Sequence, residues 1–331
     1  MPSSHHQQIA QLRDRFTDRL HATFTDKQPR GLYAPIDYIL NLGGKRIRPV
    51  VALLAAGMFG DKELSNGMPV ALAVEVFHNF TLLHDDIMDD SPLRRGRATV
   101  HEKWDVNTGI LSGDLMLIQA YQHLCDCPDK NVLPALLCSF NRIATGVCEG
   151  QQYDVDFEVR GDVTIAEYLK MIELKTAVLL GGALEMGALA AGASREDADH
   201  LYAFGRLTGL AFQLQDDLLD TFGDSADTGK LRGNDIIRNK KTFLYLKAIE
   251  LLGLERREEL NRWFSESPAD PAEKVVRVTE LMTSVGIPEA VAKLRDEFQA
   301  EAYAHLDAAG GDPEVKALLR NLTEGLLQRI S

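Results

Sequence analysis

Apolar residues recur three and four apart along almost the whole chain, and Gly, Pro, Asp and Ser interrupt them, so the pattern predicts one helix after another. A first amphipathic segment, about 7–24, is polar enough to lie outside the core. Pro35 is expected to open a second helix that Gly43-Gly44 closes, and Pro49 falls in the first turn of an apolar helix reaching about Phe59. From Met68 to Asp90 the chain is apolar for most of its length, which marks a buried helix, and Ser91-Pro92 stops it. Further helices are predicted over 113–124, 132–156 and 167–191, the last announced by the capping box Thr164-Ile165-Ala166-Glu167, and another from Ser194 through Asp220. Residues 222–242 read as loop, and Pro288 and Pro313 open the final two helices. No segment alternates convincingly with a period of two, no tandem repeat occurs, and no linker is long enough to separate domains. The expectation is an all-α protein whose residues 1–331 form a single large domain of ten or more helices.

One stretch departs from this apolar monotony. Residues 78–95 carry four carboxylates, Asp85, Asp86, Asp89 and Asp90, followed by Arg94-Arg95. Asp85 and Asp89 share a helix face, where like charges repel by a few tenths of a kcal/mol. They also fall at the C-terminal end of the helix dipole, which disfavours negative charge. A solvated acidic turn, a hard-cation site and an HD-type phosphohydrolase, suggested by His84-Asp85, all compete for this stretch. A second cluster, Gln215-Asp216-Asp217-Leu218-Leu219-Asp220, repeats the arrangement in another apolar helix and weakens the first explanation. The third lacks a suitably placed upstream histidine. Grouped carboxylates without His or Cys suit Mg²⁺, which keeps several waters and is completed by substrate phosphates. Cations gather beside helix ends: Lys45 and Arg48, Arg94 and Arg95, then Lys230, Lys240 and Lys241.

Composition narrows the partners. With 45% hydrophobic and 26% charged residues the chain has ample material for a core, and its net charge of -13 argues against a nucleic-acid partner. No run of 18 apolar residues exists, and the polar start, Met1 to Gln8, reads as neither signal nor transit peptide. Cys125, Cys127, Cys138 and Cys148 lack zinc-type spacing, so reduced thiols in a cytoplasmic protein are expected.

Gly43-Gly44-Lys45-Arg46-Ile47-Arg48-Pro49, His78 seven residues before Asp85, Asp85-Asp86-Ile87-Met88-Asp89 with Arg94-Arg95-Gly96, Lys175-Thr176, and Phe212-Gln213-Leu214-Gln215-Asp216-Asp217-Leu218-Leu219-Asp220 together resemble the trans-isoprenyl diphosphate synthases, the polyprenyl synthetase family. The likeness spans about residues 40–245. It implies an all-α homodimer whose helices surround a deep central cavity, with diphosphate chemistry at the mouth and an apolar tunnel below. It implies further that Asp85, Asp89 and Asp216 hold Mg²⁺, about three ions per active site, against an allylic diphosphate, with Asp86 and Asp220 in supporting positions. By the same resemblance Arg94 contacts the allylic diphosphate, while Lys45, Arg48, His78 and Arg95 hold that of isopentenyl diphosphate. Lys175, Thr176 and Gln213 match residues lining the reacting carbons, and Lys230 and Lys240 match those closing over the allylic group. Asn239 stands where the family usually has Gly before its Lys-Thr, and Asp90 is an extra carboxylate, expected to be exposed and dispensable.

The family sets product length with bulky residues upstream of the first motif. Phe80 is five residues before Asp85, Thr81 four and Phe77 eight, and no two-residue insertion separates Asp86 from Asp89. That arrangement resembles synthases of short products, geranylgeranyl (C20) ahead of farnesyl (C15) diphosphate. Helix geometry alone does not derive the choice, because five residues give about 7.5 Å of rise and about 140° of rotation. A longer-chain synthase, a class I terpene cyclase and a noncatalytic partner subunit of a heteromeric synthase are the rival readings. The second motif lacks a cyclase's Asn, Ser and Glu, and a noncatalytic subunit would have lost acids or arginines that this chain keeps.

Overall fold

The computed structural model describes residues 4–24, 26–223, 233–265 and 271–327. They are helical nearly throughout: α1 Ser4–Phe24, α2 Arg30–Leu40, α3 Ile47–Met58, α4 Gly67–Met88, α5 Val100–Lys103, α6 Val106–Cys125, α7 Leu133–Val159, α8 Ile165–Ile172, a π-helical turn Glu173–Ala177, α9 Val178–Ala190 and α10 Arg195–Phe222. There follow α11 Asn234–Ile237, α12 Phe243–Leu251, α13 Leu254–Ser265, α14 Pro271–Thr283, α15 Ile287–Ala308 and α16 Pro313–Leu327. The all-α class holds. The one sheet among the described residues is a hairpin of two-residue strands, β1 Leu93–Arg94 and β2 Arg97–Ala98, too short for any alternation to reveal.

Cα packing resolves two compact units, Met1–Asn141 with Gly182–Tyr202 and Ala308–Asn321, and Arg142–Gly181 with Ala203–Asp307 and Leu322–Ser331. The first is built on α4, whose residues Val70 to Phe77 are buried without a break as it packs on α3 and α6. The second encloses its own core, in which Phe157, Ile172, Leu214, Leu244, Val278 and Ile287 meet.

A helix buried on every face leaves a charged residue no route to water, so its charge must be matched inside. Glu75, in the middle of that run, is matched by Arg46, whose guanidinium donates to the Glu75 carboxylate and to the Leu40 carbonyl that ends α2. The Asn79 amide donates to Glu75 Oε1 at 3.1 Å and to the Glu75 carbonyl at 2.8 Å. Arg46 thereby clamps the α2–α3 loop onto α4.

Three local expectations change. Pro35 lies inside α2 instead of opening it, because the helix has already formed its first turn on the Pro29 carbonyl, which accepts from the Leu32 and Tyr33 amides. Helix α6 starts at Val106 under an Asp105 cap, whose Oδ1 accepts from the Thr108 amide at 2.8 Å; Thr108 replaces the Glu or Gln that would complete a capping box. The helix expected over 167–191 is divided by the π-helical turn.

Glu75→Ala is expected to strand Arg46 in the core and lower stability by about 3–5 kcal/mol, measured by urea denaturation. Glu75→Gln, which keeps an acceptor, should lose less, and equal losses would mean that the charge pairing contributes nothing.

Candidate active site

At the C-terminal end of α4 the carboxylates sort by environment. Asp86 is buried and accepts both arms of Arg94, Nε at 2.6 Å and Nη2 at 2.7 Å. Burial pushes its carboxyl up, against the pull of that guanidinium. Asp85 is half-buried, with Oδ2 3.7 Å from Arg94 Nη2, and Asp89, the C-cap residue, is exposed. Oxygen donors thus reach solvent at Asp85 and Asp89, whereas Asp86 is committed to holding Arg94.

The hairpin explains how adjacent arginines serve different places. Arg95 and Gly96 both have left-handed φ, 53° and 74°, as a two-residue hairpin turn of the I′ kind requires. Arg94 points back to Asp86, while Arg95 swings to the Gly43 carbonyl. Gly44 permits this: its φ is 134°, and a Cβ there would lie 2.8 Å from Arg95 Nη1.

Beside them Arg48 Nη1 stands 3.2 Å from His78 Nε2. Burial, reinforced by Arg48, Arg95, Arg94 and Arg46, holds the His78 pKa well below its ordinary value, so the ring is neutral at physiological pH. Of these, Arg46 is matched by Glu75 and Arg94 by Asp86, so Arg48 and Arg95 are the guanidiniums near this neutral imidazole that suit an anion. Lys45 is exposed on the same loop.

Upstream on α4, Phe77 is fully buried, 5.2 Å from Phe140 between ring centroids and 5.7 Å from Phe80. Phe80 is half-buried and also stacks edgewise on His84 at 4.8 Å. Thr81 donates its hydroxyl to the His78 carbonyl at 2.8 Å.

In the second unit the other acidic motif divides in the same way. Asp217 is buried and accepts from the Tyr168 hydroxyl and, at 3.0 Å, from Gln213 Nε2. Burial pushes its carboxyl up to about 8 against those donors, so it acts as an internal hydrogen-bonding post. Asp216 and Asp220 are half-buried, and Asp220 Oδ2 accepts from the Asp235 amide at 2.8 Å.

Lys175 and Thr176 sit in the π-helical turn, and Lys175 Nζ lies 2.5 Å from Asp154 Oδ2 on α7. Gly150 makes that approach feasible, since a Cβ there would be 2.3 Å from the Lys175 amide nitrogen. Lys240 is exposed, 4.0 Å from Asp235. Lys241 instead donates to the carbonyls of Phe157 and Arg160 at the end of α7. Lys230 lies outside the described residues.

Arg46, Glu75, Asp154 and Tyr168 escape the sequence reading. Glu75 left a trace as the lone acid in an apolar run, and Gly150 as a glycine in the interior of a long helix. Tyr168 left none, because an aromatic on an amphipathic helix reads as core.

Residues 29–282 match the family model for polyprenyl synthetase. The geranylgeranyl diphosphate synthase of Methanosarcina mazei is 38% identical over 305 residues, covering 91% of each chain. The geranylfarnesyl diphosphate synthase of Natronomonas pharaonis is 34% identical over 342 residues, covering 97% of this chain and 96% of that one. A crystal structure of a geranylgeranyl pyrophosphate synthase matches with a TM-score of 0.92 at 46% identity, over 98% of this chain and 99% of that one. The chain belongs to the polyprenyl synthetase family and is a short-chain isoprenyl diphosphate synthase, a prenyltransferase.

Proposed function

We propose that the principal product is geranylgeranyl diphosphate, C20, made by head-to-tail condensation of isopentenyl diphosphate with an allylic diphosphate. The concentration of guanidiniums around neutral His78 carries the condensation reading. A cyclase, which works on one diphosphate substrate, has no use for a second anion site of this kind. Arg48, Arg95, Lys45 and His78 hold the diphosphate of isopentenyl diphosphate, and Arg94, oriented by Asp86, reaches the allylic one.

Asp85 and Asp89 in one unit, and Asp216 and Asp220 in the other, each present carboxylate oxygens of the kind a hard cation takes, and about three Mg²⁺ are proposed. Bound Mg²⁺ supplies charge neutralisation for the departing diphosphate. Arg94 adds fixed positive charge at the same place, which eases scission of the allylic C–O bond. The double bond of isopentenyl diphosphate then attacks the allylic cation, and loss of a proton restores the alkene on a chain five carbons longer. Lys175, Thr176 and Gln213 line the reacting carbons. Lys230 and Lys240 close over the allylic group and exclude water from the cation.

Phe80 is proposed as the floor under the growing chain, with Phe77 and Phe140 as its fixed backing. The two relatives bear on this choice, one a geranylgeranyl and the other a geranylfarnesyl diphosphate synthase. The chain is further proposed to act as one domain, since the family match runs unbroken from residue 29 to residue 282. Homodimerisation is supported by Ile110, Leu111 and Ile118, exposed apolar residues of α6. No helix among the described residues is long and apolar enough to cross a membrane. The four cysteines are free, in keeping with a cytoplasmic setting.

Purified protein with Mg²⁺, isopentenyl diphosphate and C5, C10 or C15 allylic diphosphate should yield C20 by product chromatography; no elongation from any primer would sink the reading. Arg48→Ala should raise KM for isopentenyl diphosphate about 10–100-fold and leave that for the allylic primer nearly unchanged in steady-state assays. Phe80→Ala should lengthen the main product by at least one isoprene unit, and an unchanged product distribution would remove Phe80 as the floor.

A further inference from the structure

Just beyond the first acidic motif, a buried histidine faces two carboxylates that the prenyl transfer does not use. His101, on α5, is 9% accessible, and among the described residues neither of its ring nitrogens has a hydrogen-bond partner. Its Nε2 is 4.0 Å from Asp90 Oδ1 and 3.9 Å from Glu102 Oε1. One ligand atom from each of the three lies within 4.8 Å of the others.

Those separations exceed hydrogen-bond reach but suit an ion among the three atoms. Metal–ligand distances of about 2.0–2.2 Å need only about 1 Å of movement from the carboxylates. Asp90 and Glu102 are free to move that far, their side chains being 97% and 50% exposed, whereas the imidazole is held by its burial. The backbone keeps the two segments together. Thr99 donates its hydroxyl to the Ser91 carbonyl at 2.8 Å, its amide donates to the Pro92 carbonyl at 3.1 Å, and Tyr38 donates to the Ala98 carbonyl at 2.8 Å. Asp90 itself has a left-handed φ of 48°.

We infer that Asp90, His101 and Glu102 form a second cation site, distinct from the Mg²⁺ motifs, that takes a borderline transition metal such as Zn²⁺, Co²⁺ or Mn²⁺. One imidazole nitrogen with two carboxylate oxygens favours such ions over Mg²⁺, which prefers oxygen ligands and water. Binding through Nε2 fixes the ring proton on Nδ1 and gives the buried nitrogen the partner it lacks. The ion ties the start of α5 to the residue after Asp89, so it stiffens the exit of α4 without occupying the substrate sites. Asp90, expected from the sequence to be dispensable, thereby gains a function.

Equilibrium dialysis of chelator-treated protein against Co²⁺, with Mg²⁺ in large excess, tests this without substrate or turnover. One Co²⁺ per chain is expected, with a paramagnetically shifted, exchangeable imidazole proton in the NMR spectrum. Asp90→Asn with Glu102→Gln, two surface changes, should weaken binding at least about tenfold. His101→Gln should remove the shifted proton. Asp85→Asn with Asp89→Asn should leave both signals in place. Retention by the Asp90→Asn/Glu102→Gln protein, displacement by Mg²⁺, or loss only in the Asp85→Asn/Asp89→Asn protein would overturn the assignment, whether or not the enzyme makes C20.

Discussion

The ion pair of Arg46 with Glu75 fixes the ground on which the anion site stands. Glu75 sits where α4 is buried on every side, and an unpaired carboxylate there would be intolerable. Pairing it with a residue of the α2–α3 loop forces that loop against the helix. Arg48, two residues beyond Arg46 in the chain, arrives beside His78 as a consequence. Arg95 then closes on the Gly43 carbonyl of the same loop. One internal charge match therefore bears on where Arg48 and Arg95 are held.

A molecule of net charge -13 that binds two diphosphates must collect its positive charge locally. It does so by withholding carboxylates. Asp86 and Asp217, the second aspartate of each motif, are turned inward, one to Arg94 and the other to Tyr168 and Gln213. The adjacent pairs in each motif are thus unlike in role despite being identical in type. The outward aspartates are the more accessible to solvent, and the inward ones lock side chains around them.

Sequence periodicity reveals the helices because burial along α4 and α10 leaves a long-range signature in composition. It reveals the acidic motifs because charge there opposes both burial and the helix dipole. Tertiary matches leave less trace. Tyr168 is indistinguishable from core until its hydroxyl is seen on Asp217, and Asp154 is one acid among many until Gly150 brings α7 against Lys175. The π-helical turn was invisible for another reason. Its residues, Glu173-Leu174-Lys175-Thr176-Ala177, fit an ordinary helical pattern, and only the backbone pairing sets it apart.

That turn has an evolutionary reading. A π-helical turn closes over one residue more than an α-helical turn, so it behaves as a single-residue insertion into a helix that would otherwise run from Ile165 to Ala190. Deleting one residue there would restore a uniform helix with its two ends in register, whereas winding the same residues as α-helix without a deletion would rotate everything beyond them by about 100° relative to α8. The insertion lets α8 keep Tyr168 inside the core while Lys175 and Thr176 take an orientation that a uniform helix would deny them. Gaps in alignments of this segment should therefore be read as changes in the direction of two side chains, and not as slack in a loop.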